Sequence, residues 1–229
     1  NIFIMTFTPP TKTDLYGYAF LIFVFAIGIY TSNTNANFFD NVFTKEDGSV
    51  EYATTFMLLT ISILQLYRFF KLSKYKGYLW KIGMIGFVLI FFFGAGEEIS
   101  WGQRILGIES SEYFKQNNAQ QEMNLHNMVV GDIKINKLIF SKILTVILII
   151  YLILLPVIYQ NPGTPKNLMA KFAVPLPHWH HSLAFVIVTL AIFAIPSSKK
   201  WELYELAFGV IFFLIFINPY NSRIYSRTE

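Results

Sequence analysis

Two adjacent carboxylates, Glu97 and Glu98, directly follow a long apolar stretch of the sequence. If that stretch crosses a membrane, placing an acid at its end costs about 2.5–3.5 kcal/mol on insertion scales, so acids in such positions are usually functional. On a continuous helix, Glu97, Trp101 and Arg104 would share one face, and Glu98 would point about 100° away. The alternative is that both acids lie in the headgroup zone, solvated and loosely paired with Arg104.

Glu122 and His126 form a second candidate pair, four residues apart. Side chains at that spacing are neighbours on one face of a helix, and a carboxylate beside an imidazole can hold a metal ion or share a proton. Together with Glu98, they make a candidate set of metal ligands. The competing interpretation is an exposed surface pair, because spacing alone is a weak signal.

The segment that carries this pair has the signature of a short amphipathic helix. Asn118 suits the N-cap, Gln121 stands at the position of a capping-box partner, and Gly131 is a natural stop. We therefore predict a helix from Ala119 to Val130, lying at the membrane surface or packed on the bundle. Its apolar edge would consist of Leu125, Met128 and Val129.

Three of the four histidines fall in one short run, His178, His180 and His181, around Trp179. Tracts rich in histidine can bind metal. Trp and His at the start of a helix also suit the membrane interface, and Pro177 suits the beginning of a helix. We favour this second interpretation.

The run from Gly94 to Gly107, together with Glu122 to Asn127, resembles a pattern in uncharacterised bacterial integral membrane proteins. In these, a Glu-Glu-Ile-Ser-Trp-Gly-Gln-Arg stretch precedes an Asn-Leu-His-Asn stretch. The resemblance covers roughly the central fifth of the chain. It implies that the two stretches belong to one site.

The composition indicates a membrane protein. Of the 229 residues, 54% are hydrophobic and only 14% are charged, whereas soluble domains carry about 25% charged residues. A soluble fold of this size could not cover so much apolar surface. The absence of cysteine excludes disulfides, thiolate catalysis and cysteine-ligated metals, and the basic residues are too dispersed for nucleic-acid binding. The frequent use of Ile, Phe, Asn and Lys is typical of bacteria with AT-rich genomes.

Six segments satisfy, or nearly satisfy, the requirement of about 20 apolar residues for a membrane helix. The predicted fold class is therefore all-α: a polytopic transmembrane helical bundle of about six spans, forming a single integral membrane domain over residues 1–229. The spans are expected near residues 15–31, 52–70, 79–96, 138–159, 180–196 and 201–217.

The loops indicate an orientation for the bundle. Positively charged loops remain in the cytoplasm; the Arg68–Lys81 loop carries five basic residues, whereas Ser32–Glu51 is acidic. With six spans, both termini would be cytoplasmic in a bacterial cytoplasmic (inner) membrane. The long polar segment Glu97–Lys137 would then lie on the outer face, and the histidine cluster on the opposite face.

These features suggest an outward-facing polar site that performs acid–base or metal-assisted chemistry on a lipid or lipid-linked substrate. Glu97 or Glu98 would act as base or metal ligand, His126 as ligand or acid, and Arg104 would hold an anionic head group with its planar guanidinium. The candidate metal ligands are Glu98, Glu122 and His126. The sequence does not identify a cofactor; a divalent metal is one candidate.

Two other classes of function remain open at this point. The chain could be a non-catalytic accessory subunit of a larger bacterial membrane complex, with its long loop docking another membrane-protein subunit. It could also be an ion- or proton-coupled carrier that uses Glu97, Glu98 and Glu205. The carrier is least favoured, because no predicted span is interrupted near its middle and no internal repeat is visible.

Overall fold

The computed structural model describes residues 8–130, 133–134, 144–159 and 164–227. Within these ranges the chain is helical apart from its loops and one antiparallel pair of two-residue strands, β1 (Val129–Val130) and β2 (Ile133–Lys134). The α-helices are α1 (Lys12–Thr34), α2 (Ala36–Phe38), α3 (Ser49–Leu72), α4 (Tyr78–Glu98), α5 (Gln103–Leu106), α6 (Glu112–Asn117), α7 (Leu144–Ile149), α8 (Leu155–Tyr159), α9 (Thr164–Lys171), α10 (Trp179–Ala191) and α11 (Lys200–Ile217). Short π-helical turns occupy Phe39–Phe43 and Ile150–Leu154, and 3-10 turns occupy Ser73–Tyr75, Ser100–Gly102, Ile192–Ala194 and Ser222–Tyr225.

Three helical stretches are long and apolar enough to cross a membrane: Lys12–Thr34, Ser49–Tyr75 and Tyr78–Glu98. Their outer faces expose large apolar side chains such as Phe23 and Phe56, which lipid solvates and water does not. These stretches contain the first three predicted spans, so the all-helical class is confirmed, and three helices have the length and composition that a membrane bundle needs. Two further apolar helices, Val146–Tyr159 and Trp179–Ala194, are shorter. The first part of the fourth predicted span, 138–143, lies outside the described residues.

The long helices run alternately between two ends of the bundle. The starts of α1 and α10 meet at one end, where Trp179 Nε1 donates to the Thr8 carbonyl at 3.0 Å. The end of α11 joins them there, because Tyr220 N donates to the Leu176 carbonyl at 2.8 Å. We call this the histidine end; it holds His178, His180 and His181. The starts of α3 and α11 and the end of α4 lie at the opposite, glutamate end, which holds Glu51, Glu97, Glu98, Glu202 and Glu205.

The last helix, α11, forms the centre of the bundle. Half of its 18 residues are buried, and it packs against α1, α3 and α10. Close approach needs small residues: a Cβ at Gly17 of α1 would lie 2.8 Å from Leu214 Cδ1. Arg68 of α3 donates to the Ile217 carbonyl at 3.0 Å, which satisfies one of the open carbonyls where α11 ends.

The predicted helix from Ala119 to Val130 does not form, so that prediction is wrong. The Asn118 side chain closes a turn instead: its Oδ1 accepts from Gln120 N at 2.9 Å and from Glu122 N at 3.2 Å. Asn118 and Met128 then pair in an isolated antiparallel bridge, and the chain enters β1. The result is a compact loop, residues 118–128, that folds against the glutamate end.

Candidate functional site

Helix α4 stops at Glu98 because the chain turns sharply after it. The residues of Ser100–Gly102 have φ angles of 47°, 56° and 75°, and left-handed backbone costs about 1–2 kcal/mol for each residue that is not glycine. Glu97, Trp101 and Arg104 therefore do not share one helix face, as a continuous helix would require. Side-chain hydrogen bonds must stabilise the turn, and Glu97 accepts one of them.

Glu97 organises both the turn and the 118–128 loop. Its Oε1 accepts from Trp101 Nε1 at 2.7 Å, and its Oε2 accepts from the backbone N–H groups of Leu125 and His126 at 2.6 and 2.9 Å. The side chain is buried. Because three donors already occupy its oxygens, Glu97 is placed to position His126 and not to remove a proton from a substrate.

Glu122 is likewise engaged. Its Oε2 accepts from Ser100 Oγ at 2.6 Å and from Asn124 Nδ2 at 3.0 Å, and its Oε1 pairs with the Arg104 guanidinium. These contacts join the 118–128 loop to the turn after α4.

Arg104 pairs with carboxylates from two separate loops. Besides Glu122 it contacts Asp47, and its Nη2 lies 3.8 Å from Glu46 Oε2. The guanidinium thus fastens the 45–48 turn to the 118–128 loop. An anionic head group at Arg104 would have to displace a carboxylate, since its donors already point at three of them.

A small polar cavity of about 50 Å³ lies between these segments. One water needs about 10–15 Å³ of such volume, so the cavity accommodates a few waters or a single ion, but no acyl chain. Its lining consists of seven glutamates, one histidine and three amides: Glu46, Glu51, Glu97, Glu98, Glu122, Glu202, Glu205, His126, Gln120, Asn124 and Asn127.

Glu98 and Glu205 differ from Glu97 in their surroundings. Among the described residues, no hydrogen-bond donor reaches Glu98, and Glu205 is contacted by His126, whose Nε2 lies 4.0 Å from Glu205 Oε1. Glu202, one turn earlier on α11, lines the same cavity. Carboxylates held this close repel one another when charged, so the arrangement favours binding of protons or of a metal cation.

His126 is the imidazole of this cavity. Burial lowers its pKa below the ordinary value, and the nearby Glu97 carboxylate acts in the opposite direction. The ring is therefore neutral at pH 7. A neutral imidazole can ligate a metal or accept a proton.

The structure brings the sequence-predicted site residues together. Glu97, Glu98, Glu122 and His126 line the cavity, and Arg104 lies at its rim. The proposed metal ligands Glu98, Glu122 and His126 share this cavity, but their ligand atoms do not all lie within 4.8 Å of one another; within the described ranges, one set of three residues meets that distance, at the histidine end.

No family model, curated protein or solved structure matches this chain.

Sequence reasoning missed Glu51 and Glu202 as parts of the cavity. Both stand in the first turn of a helix, α3 and α11 respectively. The acidic character of Ser32–Glu51 was a partial signal. No one-dimensional pattern shows that the starts of α3 and α11 meet beside the end of α4, because that depends on packing.

Among the described residues, Asp14, His180 and His181 form the group whose possible metal-ligand atoms all lie within 4.8 Å of one another; all three are buried. His181 Nε2 lies 3.0 Å from Asp14 Oδ1, and His181 Nδ1 accepts from the His178 backbone N–H at 3.2 Å. A ring whose Nδ1 accepts must carry its proton on Nε2 and donate it to Asp14. Neither nitrogen then has a lone pair free for a metal.

The rest of this cluster is also hydrogen-bonded. Thr11 donates to Asp14 Oδ2 through its backbone N–H at 2.8 Å and its hydroxyl at 2.7 Å, and the Tyr18 hydroxyl lies 2.6 Å from His180 Nδ1. The arrangement therefore ties α1 to α10. This histidine cluster is separated from the glutamate cavity by the length of α11, which has 18 residues at about 1.5 Å each.

Proposed function

We propose that this chain is a six-span protein of the bacterial inner membrane, with an outward-facing, metal-assisted acid–base site that acts on a lipid or lipid-linked substrate. The observation that carries the proposal is the ion-sized cavity lined by Glu98, Glu205 and His126, where His126 Nε2 lies 4.0 Å from Glu205 Oε1. The chain's own residues supply the ligands, the base and the scaffold.

The choice of a divalent cation follows from the chemistry of the lining. Carboxylate oxygens with one imidazole suit Mn²⁺, Zn²⁺ or Fe²⁺. We assign Glu98, Glu205 and His126 as ligands, with Glu202 within the same cavity. Their ligand atoms do not all lie within 4.8 Å of one another, so metal binding would have to draw the two carboxylates inward. Glu122 is better suited to hold Arg104 and Ser100 in place, because its oxygens already accept three hydrogen bonds.

The chemical roles follow from which groups are free to act. A divalent metal bound there would polarise an ester or phosphoryl oxygen and acidify a bound water. The Glu98 oxygen that does not bind the metal would accept the proton from the attacking water. Glu97 accepts the His126 backbone N–H at 2.9 Å, so the imidazole stands on a loop that is hydrogen-bonded to the end of α4.

The orientation is supported by charge. The basic segment Arg68–Lys81 lies at the histidine end, where Arg68 contacts the last carbonyls of α11, and the acidic residues gather at the other end. A cytoplasmic histidine end agrees with the rule that positive loops stay inside. Residue 8 and residues 220–227 also lie at the histidine end, as expected for an even number of spans.

A cation carrier is the second candidate, because the cavity fits an ion and is lined mostly by carboxylates. The accessory-subunit hypothesis has less support. It expects an apolar docking edge of Leu125, Met128 and Val129; Leu125 is 51% exposed, but Met128 is 6% exposed, so the three do not form one exposed edge.

The test is metal binding followed by turnover. The full chain, stripped of metal in detergent, is titrated calorimetrically with Mn²⁺ and Zn²⁺, as are Glu98→Gln and Glu205→Gln. Glu109→Gln is the matched control, since its side chain is 91% exposed. We expect binding in the wild type and control and a loss of at least tenfold in affinity in each cavity variant.

Turnover separates the two candidate functions. The protein is reconstituted in phosphatidylethanolamine–phosphatidylglycerol vesicles and in vesicles of total bacterial lipid, and products are followed by mass spectrometry. Metal-dependent lipid products that Glu98→Gln fails to form support the enzyme. Metal uptake into the vesicles without new products supports the carrier, and equal metal affinity in all variants refutes both.

A further inference from the structure

A group of large apolar side chains is exposed beside the cavity, directly after α4. Exposed fractions are 62% for Ile105, 68% for Leu106 and 48% for Ile108, with Trp101 and Tyr113 similarly exposed. Scattered apolar residues on a surface need no explanation, but a contiguous group marks a contact with a membrane or a protein.

The backbone holds this group outward. Helix α5 is a single turn bracketed by Gly102 and Gly107, with φ of 75° and 64°. These left-handed positions suit glycine and let the chain enter and leave α5 abruptly. The Ile108 N–H closes the turn by donating to the Gln103 carbonyl at 2.9 Å.

The opposite side of α5 is anchored to the site. Gln103 is 8% exposed; its Nε2 donates to Ser110 Oγ at 2.6 Å, and its Oε1 accepts from Met123 N at 2.7 Å. Thus α5 presents Gln103 to the site loop and Ile105 and Leu106 away from it.

The exposed group continues the outer surface of a membrane-type helix. The Trp101 ring lies 6.1 Å from the Phe92 ring and 5.5 Å from the Phe93 ring, centroid to centroid. Both phenylalanines are exposed near the end of α4, which is long and apolar enough to cross a membrane. Trp and Tyr concentrate at the level of the lipid head groups.

We propose that Trp101–Ile108 and Tyr113, the interfacial segment, are seated in the outer leaflet, with bilayer lipid as the partner. Continuity with the lipid-facing surface of α4 favours lipid over a protein subunit. The segment brings acyl chains beside the cavity while Arg104, on the same turn, faces the carboxylates at its rim. Its suggested purpose and its assignment to the outer leaflet rest on the proposed function; its contact with lipid does not.

Spin labels can test that location directly, because the chain has no cysteine. Single variants Ile105→Cys and Leu106→Cys, with Glu109→Cys and Glu112→Cys as controls on the same loop, are labelled and placed in phosphatidylethanolamine–phosphatidylglycerol vesicles. Collision rates with oxygen, which partitions into lipid, and with a neutral water-soluble nickel chelate are then compared.

We expect oxygen collisions to dominate at Ile105 and Leu106 and nickel collisions to dominate at Glu109 and Glu112. Nickel access at Leu106 equal to that at Glu109 would overturn the proposal, as it would place the segment in water. Low access to both reagents at Ile105 and Leu106 would overturn it in favour of a protein contact.

A second variant separates this proposal from the proposed function. Leu106→Asp should bind metal in detergent as the wild type does, because position 106 does not line the cavity, but should lose lipid turnover in vesicles. If the spin labels show the segment in lipid but no lipid product forms under any condition, the location is supported and the lipid enzyme is refuted.

Discussion

Neighbouring carboxylates at the glutamate end have opposite surroundings. Glu97 accepts three hydrogen bonds, while Glu98, the next residue, faces Glu51 and Glu202 across the cavity. A helix turns about 100° per residue, and this rotation alone sends one acid into the protein scaffold and the other into the cavity. The two residues should therefore respond differently to the same substitution.

Replacing Glu97 with Gln should destabilise the protein by about 1–3 kcal/mol, because an amide N–H₂ would face a donor in a buried position. Glu98→Gln should leave stability unchanged or raise it, since it removes a charge among other acids. Thermal unfolding in detergent measures both. The division of roles fails if Glu98→Gln is the more destabilising change.

The pH dependence of metal affinity should report His126. Its pKa is lowered from the ordinary 6.5 by burial, so the unfolded chain takes up this proton at a higher pH than the folded one. The contribution of the neutral ring to stability is complete above about pH 6.5 and declines as the pH falls through the lowered folded pKa. Metal affinity should fall over the same acidic range.

The check is to titrate wild type and His126→Ala with metal at several pH values between pH 7.5 and pH 5. This range brackets the ordinary histidine pKa of about 6.5. The variant should bind more weakly at pH 7.5 and lose less affinity on acidification. Parallel curves for the two proteins would exclude His126 as a ligand.

The sequence was sufficient to predict that Glu97, Glu98, Glu122 and His126 lie near one another, as they do around the cavity, with Arg104 paired to Glu122; that they form a functional site stays a prediction. It was not sufficient to separate their roles. Whether a carboxylate accepts from backbone N–H groups or faces a cavity depends on how the 118–128 loop folds, and that is decided by tertiary contacts.

At the scale of single elements, the turn after α4 depends on one close contact. A Cβ at Gly96 would lie 2.8 Å from the Trp101 ring, so Gly96→Ala should displace the indole from Glu97 and destabilise the protein by about 1–3 kcal/mol. Gly86, on the same helix, has no atom within 4 Å of an added Cβ. Gly86→Ala should be neutral or stabilise by up to about 1 kcal/mol.

Thermal unfolding of the two alanine variants, together with Trp fluorescence, distinguishes these cases. A red shift of emission and a lower midpoint are expected for Gly96→Ala alone. Equal midpoints would show that the turn adjusts without strain.

The helix predicted over Ala119–Val130 failed for a reason that the sequence does not display. A helix there would need the N–H groups of Leu125 and His126 for its own hydrogen bonds, but Glu97 accepts both. Hydrogen bonds to a charged acceptor contribute about 1.5–3 kcal/mol, which outweighs the weak helix preference of the segment. Asn118, which was predicted to cap this helix, closes a turn of the 118–128 loop instead.

At the scale of the whole molecule, the proposed orientation predicts opposite labelling of two loops. Cysteines introduced at Ser73, after α3, and at Ser111, before α6, should react with a membrane-impermeant maleimide from opposite sides of the membrane. The unmodified chain, which lacks cysteine, is the control. Labelling of both from one side would contradict the six-span topology.

Sequence hydrophobicity was enough to identify the helical class and the first three long helices. The sixth predicted segment, 201–217, coincides with α11 (Lys200–Ile217), which is buried in the centre and carries Lys200, Glu202 and Glu205 near its start. The sequence did not show that this helix is central, because neighbouring helices can satisfy the polar groups of an interior helix and their arrangement depends on packing.

The direction in which each helix meets the cavity has an electrostatic consequence. Helices α3 and α11 start there, so their backbone dipoles direct partial positive charge toward Glu51 and Glu202; α4 ends there, and its dipole directs partial negative charge toward Glu98. Two of the acids are thus partly compensated by the backbone, and Glu98 is not. A cation that enters the cavity should therefore bind first beside Glu98. Bound there, it would offset the negative electrostatic potential of the whole glutamate end.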